Sequence, residues 1–197
     1  MISLLILVLN IPSGGLPPDG SGFMDIAYKD LLNWAENYYT DKYIDPLFMA
    51  AIATQESQLQ DDAISSAGAM GIFQFMPITV KDISERFGYP FDPYDARQAT
   101  EAAKIYLTWL CDRLLDEDTG RLIVYLNDPN IKYPHDIVLI AWNWGYGNLQ
   151  KYINSRVVRN EDGSLEVKKE GHIKLPTETK TFISKVNMYY TMLVFTD

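Results

Sequence analysis

A mainly α domain with a small β-hairpin excursion, α+β in class, is what this sequence predicts, and three observations predict it. Apolar residues recur at helical spacing along most of the chain. Aspartate, proline and glycine stand where helices begin and end. Only one stretch, Val157 to Val167, has β-branched residues flanking an Asp162-Gly163 pair, the signature of a tight hairpin.

Met24 to Tyr39 places Ala27, Leu31, Trp34, Ala35 and Tyr38 on one 3.6-period stripe, which predicts a first helix. Asp45 and Pro46 supply an N-cap and a first-turn proline for a second, running to about Gln58. Pro77 to Phe87 reads as a short helix stopped by Gly88. Asp95 and Gln98 have capping-box spacing, and Ala99, Ala102, Ala103, Tyr106, Leu110 and Leu114 form one apolar face down to Leu115. Arg121 to Leu126 reads as a short strand. Pro134 opens a further helix through Ile137, Ile140 and Ala141, interrupted by Gly145 and Gly147. The last helix runs from about Thr177 to Val194, with Phe182, Ile183, Val186, Tyr190 and Leu193 on one side.

Residues 1–22 stand apart. Ile2 to Leu9 is apolar except for Ser3, far short of the roughly 20 residues that span a bilayer, so no transmembrane segment is expected. It also lacks the basic flank and small-residue cleavage site of a signal peptide. A packed first strand and a degenerate export signal are the two readings left. Seven of the twelve residues from Ile11 to Gly22 are Gly or Pro, which no regular element sustains. The chain is therefore divided into an apolar segment with its linker, 1–22, and one domain, 23–197.

The 197 residues carry 17 Lys and Arg against 26 Asp and Glu, a formal charge of −9. That balance argues against nucleic acid as a partner, because neutralising phosphates requires a basic face, and it disfavours anionic lipid for the same reason. Cys111 is the single cysteine, so no intrachain disulfide is possible. His135 and His172 lie far apart with no cysteine pair or HExxH, so no metal site is expected. Asp116 to Gly120 does not fit a calcium loop, because its glycine comes one position early and the twelfth residue is Asn127. Neither a nucleophile-elbow serine nor a phosphate-binding glycine loop is present.

The stretch from Ala50 to Pro77 carries the chemistry. Glu56 follows Ile52 by four residues and Met49 by seven, on the side of the apolar stripe of its helix. A carboxyl there is costly unless it is protonated or paired, and its place near the helix C-terminus disfavours negative charge further. Both effects raise its pKa toward that of a general acid working near neutrality; the alternative is a glutamate at the edge of the face that reaches water. The Ser65-Ser66-Ala67-Gly68-Ala69-Met70-Gly71 run suits close backbone approach to a ligand or a tight connection. Gln74 is an amide between Phe73 and Phe75 that needs partners if buried. Trp142, Trp144 and Tyr146, interleaved with Asn143 and glycines, offer flat faces and amides of the kind a sugar site requires, or simply core and turn.

Together these segments resemble the SLT-type lytic transglycosylases of the goose-type lysozyme-like superfamily. Glu56-Ser57, Ser65, and Gly68-Ala69-Met70-Gly71-Ile72-Phe73-Gln74-Phe75-Met76-Pro77 resemble that family's E-S and S-x-x-G-A-x-G-L-M-Q-x-M-P block without insertion or deletion. Phe91-Asp92-Pro93 through Tyr106-Leu107 resembles its F-D-P…G-A-x-Y-L helix, Ala141 to Gly147 its A-Y-N-A-G-P-G, and Leu175 to Thr179 its L-P-x-E-T. The resemblance implies a lysozyme-like helical domain and peptidoglycan glycan strands as substrate, with no cofactor. It implies Glu56 as the single catalytic acid/base, with Ser65, Gln74, Met76 and Asn143 along the glycan groove. Trp142 stands where the family has a tyrosine that orients the glutamate; an indole N–H donates but cannot accept, so either Trp142 takes over that task or another hydroxyl does, with Tyr146 a candidate. Trp144 and Tyr146 replace small and proline positions and alter the edge on which sugars stack.

The implied reaction cleaves the β-1,4 bond between N-acetylmuramic acid and N-acetylglucosamine and closes a 1,6-anhydro ring. A hydrolytic muramidase acting on the same bond is the first alternative, kept open by Asp61 and Asp62, since hydrolysis uses a second carboxylate roughly 5–9.5 Å away. The second is a noncatalytic peptidoglycan-binding module of a virion. The substrate lies outside the bacterial cytoplasm and no convincing signal peptide is visible, so a phage particle carrying the chain, attached through residues 1–22, is expected in preference to periplasmic export.

Overall fold

The computed structural model describes residues 30–33, 45–115, 128, 130–161, 165–168, 171 and 173–195. Within them, local signals set the ends of the helices. The side chain of Asp45 accepts from the Phe48 N–H at 2.8 Å and Pro46 fills the first turn, so α1 spans Pro46–Ser57. Pro77 starts α2, Pro77–Phe87, and Gly88 ends it in the left-handed region at φ 65°. α3, Ala96–Leu114, is capped by Asp95 through the Gln98 N–H at 3.0 Å. The Gln98 amide oxygen does not return to the cap residue as in a reciprocal box; it accepts from Asp92 N–H at 3.1 Å and so fastens the preceding turn.

α4 runs Pro134–Trp144 and α5 Tyr146–Arg156. The sequence signals two interruptions here, yet only Gly145, at φ 89°, breaks the helix; Gly147 lies in the first turn of α5, where a glycine costs little. α5 is then held by Leu149, Tyr152 and Ile153, which are buried at helical spacing. β1, Val157–Arg159, pairs antiparallel with β2, Leu165–Val167, in the register Val157 to Val167, as the hairpin pattern predicts. α6 spans Thr177–Val194. Of the first expected helix only 30–33 is described, helical and with Leu31 fully buried; the expected strand at 121–126 and residues 1–22 lie outside the described residues.

α1 departs from the one-sided stripe that its spacing suggests. Phe48, Met49, Ala50, Ala51, Ile52 and Ala53 are all buried, so the helix is enclosed on every side. Three alanines let neighbouring elements approach its backbone, and α6 packs along it most extensively. Tyr190 of α6 donates to the second oxygen of Asp45 at 2.6 Å, so one carboxylate caps α1 and ties it to α6. α4 contacts α3, α5 and α6, and α2 lies on α3. Glu56 therefore sits in the last turn of the helix, just beyond its fully buried apolar run.

The connection from α1 to α2 is folded back on itself by bridges between Ile64 and Met70 and between Met70 and Phe75. The Ser57 hydroxyl, one residue beyond Glu56, donates to the Ile72 carbonyl at 2.8 Å and pins this loop to the end of α1. Gly71 makes the fold-back possible. It lies at φ 70°, and a Cβ there would stand 1.7 Å from the Pro93 carbonyl oxygen. Gly71→Ala combines left-handed strain with a backbone clash and is expected to cost about 3 kcal/mol or more. Thermal denaturation checks this; a loss below about 1 kcal/mol would contradict the close approach.

Candidate active site

Fold-back of the 58–76 loop against α1, α4 and α6 leaves a cavity of ≈ 650 Å³. Glu56, Ser65, Gln74, Met76, Trp142 and Asn143 all line it. Trp144 and Tyr146 do not: Trp144 packs edge-on against Tyr152 with ring centroids 6.3 Å apart, and Tyr146 packs on Trp109 at 5.1 Å. Asp61 and Asp62 are exposed on the loop and lie outside the cavity wall.

The Trp142 indole N–H donates to Glu56 Oε1 at 2.8 Å, joining two residues 86 positions apart. Trp142, and not Tyr146, thus meets the carboxyl. Phe73, Phe75 and Tyr106 surround the indole with ring centroids 5.6 to 6.1 Å away, so its N–H is aimed by packing. Glu56 is half-buried, and its pKa is raised from 4.5 to about 7. Desolvation by the surrounding protein is the main cause, the Trp142 hydrogen bond opposes it, and the negative charge of Glu178 adds to it. With Oε1 committed as the acceptor, Oε2 is the oxygen that carries the proton when the group is neutral.

Other polar groups of the cavity have their orientations set by the protein. Asn143 Oδ1 accepts from the hydroxyl of buried Thr179 at 2.8 Å, which leaves its amide hydrogens for a ligand. Ser65 Oγ accepts from Ala69 N–H at 3.0 Å and keeps its own hydrogen. Gln74, at φ 50°, donates its amide to the carbonyls of Ala63 at 3.1 Å and Gly71 at 2.9 Å, so its side chain braces the loop and presents only an oxygen. Among the described residues no group of three His, Cys, Asp or Glu could hold a metal ion, and no helix is long and apolar enough to cross a membrane.

The model of the transglycosylase SLT domain family matches residues 33–163. The chain belongs to that family. Two solved structures share the fold of this SLT domain. One is an inactive mutant of lytic transglycosylase Slt from Pseudomonas aeruginosa, with TM-score 0.52 and 20% identity over 86% of this chain and 25% of that one. The other is the 70 kDa soluble lytic transglycosylase from Escherichia coli, with TM-score 0.56 and 20% identity over 85% of this chain and 24% of that one. The SLT domain chain spans about a quarter of the length of the structures it matches. Its architecture is the lysozyme-like helical fold expected from the motifs.

The tertiary structure adds cavity residues that sequence reasoning did not assign. Glu178 and Lys185 both line it from α6, as do Tyr106 of α3 and the buried Phe73 and Phe75. Glu178 was legible only as part of the L-P-x-E-T block; Lys185 has no motif of its own and reaches the cavity because it lies seven residues, about two helical turns, from Glu178.

Two outcomes follow from the electrostatics. Unfolded Glu56 ionises near 4.5 and folded Glu56 near 7, so between these values unfolding releases a proton and rising pH favours the unfolded chain. The penalty is absent below the lower value, grows through the window, and levels off above pH 7 at about 3 kcal/mol. Glu56→Gln keeps the acceptor and removes the charge, and is expected to raise Tm above pH 7 while leaving it unchanged below about pH 4. Trp142→Phe removes a contact that favours the charged form and should move the Glu56 pKa up, whereas Glu178→Gln should move it down. Titration of the Glu56 carboxyl followed by carbon-13 NMR reports both, and shifts in the same direction would refute the assignment.

Proposed function

We propose that the chain is a peptidoglycan lytic transglycosylase, cleaving the β-1,4 bond between N-acetylmuramic acid and N-acetylglucosamine with Glu56 as the one acid and base. The observation that carries this reading is a carboxyl held near pKa 7 by burial, with one oxygen pinned by Trp142, on the wall of a cavity in an SLT family domain. A group half-protonated at neutrality suits both halves of the reaction. Glu56 Oε2–H donates to the glycosidic oxygen as the bond to muramic acid C1 breaks and the N-acetylglucosamine end departs with the proton. The substrate's own N-acetyl group stabilises the cationic C1. Glu56, now a carboxylate, takes the proton from the C6 hydroxyl as that oxygen bonds to C1. The ring closes, the acid is restored and no water is consumed.

The protein's other groups bind and orient. The amide hydrogens of Asn143 and the hydroxyl hydrogen of Ser65 suit carbonyl and hydroxyl oxygens of the sugar, and Gln74 Oε1 suits a hydroxyl or amide donor. Met76, 39% exposed, and the partly exposed rings of Tyr106 and Trp142 offer apolar wall to pyranose faces. In this proposal Trp144 and Tyr146 serve the edge of the groove through what they pack against. Hydrolysis by a muramidase is a second reading, favoured by one observation: Glu178 shares the cavity and is near enough to raise the Glu56 pKa. The same proposal places the enzyme on peptidoglycan outside the cytoplasm, carried by a phage particle through residues 1–22. Its support is the charge of −9, which gives no attraction to the anionic wall and leaves positioning to an attachment.

Glu56→Gln is expected to lower release of muropeptides from purified sacculi by about 10²- to 10⁴-fold, and unchanged lysis would refute the catalytic reading in favour of a binding module. Mass spectrometry of wild-type products should find the 1,6-anhydro ring. Reducing ends in its place, abolished by Glu178→Gln, would establish the muramidase. Deletion of 1–22 should abolish association with particles while sparing activity on sacculi.

A further inference from the structure

Tyr106 lines the cavity on one side and stacks on Trp109 on the other, with ring centroids 5.7 Å apart and planes 14° from parallel. The aromatic wall therefore continues one ring beyond the cavity, where Tyr146 and Phe87 pack around Trp109 at 5.1 and 6.3 Å. Two cations converge on the same indole: the guanidinium of Arg86 lies 4.7 Å from its centroid and that of Arg113 5.4 Å. They come from different elements, α2 and α3, and both residues are exposed. In a chain of charge −9, bringing two guanidinium groups to one ring is not what charge dispersal produces.

The two arginines are not equally neutralised. Arg86 pairs with Asp82 at 2.7 Å, whereas Arg113 makes no ion pair among the described residues. Among the described residues in contact here, two guanidinium groups stand against the one carboxylate of Asp82. The patch is also continuous with the cavity: Thr79 lines the cavity, and Asp82 and Arg86 follow it at three and seven residues on the same face of α2. With its faces and edges engaged by Tyr106, Phe87 and the guanidinium groups, Trp109 has little surface left for a sugar. Its contribution is to hold two guanidinium groups beside the groove: Asp82 takes the Nε and Nη2 hydrogens of Arg86 and leaves it Nη1, while Arg113 presents its whole planar fork, which matches a carboxylate.

We propose that Arg86 and Arg113, held over Trp109, form an accessory subsite for the carboxylates of a peptide stem borne by the glycan strand. This rests on the functional reading above and extends it from the sugar backbone to its substituents. The glycan lies in the cavity and a stem carried by a neighbouring muramic acid reaches past Tyr106 to the arginines. Binding there favours strands that bear stems over bare strands, and salt weakens the preference because the arginines face solvent.

The test compares sacculi free of teichoic acid with glycan strands from which an amidase has removed the stems, using the full chain and the Arg113→Gln and Arg86→Gln/Arg113→Gln variants. Arg113→Gln leaves the pair of Arg86 with Asp82 intact. The double variant is expected to lose about tenfold in kcat/KM on stem-bearing strands, mostly through KM, with kcat/KM on bare strands unchanged. Arg113→Gln alone should fall between. For the wild type, the preference for stem-bearing strands should shrink as ionic strength rises. Equal losses on both substrates, or no loss on either, would overturn the subsite while leaving the transglycosylase reading in place. Failure of the wild type to cleave either substrate would overturn that reading, and the subsite with it.

Discussion

The hydrogen bond from the Trp142 indole to Glu56 is the contact on which the site depends. It is the polar partner given to a carboxyl that the fold has carried to the end of an apolar helix. Without it the carboxyl is desolvated with nothing to fix its direction; with it one oxygen is an acceptor and the other is left to carry the proton. The elements that make the bond also build the core: α1 brings Glu56, α4 brings Trp142, and α6 packs along α1 and contacts α4. The Asp45 to Tyr190 contact at the far end of α1 and the Ser57 to Ile72 contact beside Glu56 hold that geometry at both ends of the helix.

Three influences set the character of Glu56, and their ranking explains the arrangement. Desolvation raises its pKa most, the indole N–H lowers it, and Glu178 raises it again. A stronger set of donors would stabilise the carboxylate and hold the group ionised, while an apolar pocket with no donor would hold it protonated. One donor against burial places the group near neutrality. An indole suits this task because it donates without competing for the proton, as a phenol or imidazole could. The aromatic cage of Phe73, Phe75 and Tyr106 holds the ring in place.

Much of this was legible in the chain because its signals are local. Asp45-Pro46, Pro77 with Gly88, and Asp95 with Gln98 act within a few residues, and the helices begin and end where they predict. Val157 to Val167 forms its hairpin for the same reason. Packing overrides periodicity in other places. α1 has no polar face along 48–53 because neighbours cover it on all sides, and α5 forms through Gly147 because its buried Leu149, Tyr152 and Ile153 outweigh one glycine near the helix start. Trp144 and Tyr146 stand close to Trp142 in sequence, yet the break at Gly145 turns the chain so that they pack against Tyr152 and Trp109 instead of lining the cavity.

By itself the sequence determined that the domain is mainly helical, where its helices are capped, and that the motifs around Glu56, Gln74 and Asn143 stand in the order of the SLT family. These are matters of short-range sterics and hydrogen bonding, written in neighbouring residues. Only the tertiary structure decided which donor meets Glu56, that Thr179 turns the Asn143 amide, that Glu178 and Lys185 reach the same cavity, and that Arg86 and Arg113 share one indole. Those contacts join residues from separate elements, and no local preference specifies them. They exist because the core packs in one way, and that packing carries side chains distant in the chain to the same few ångströms.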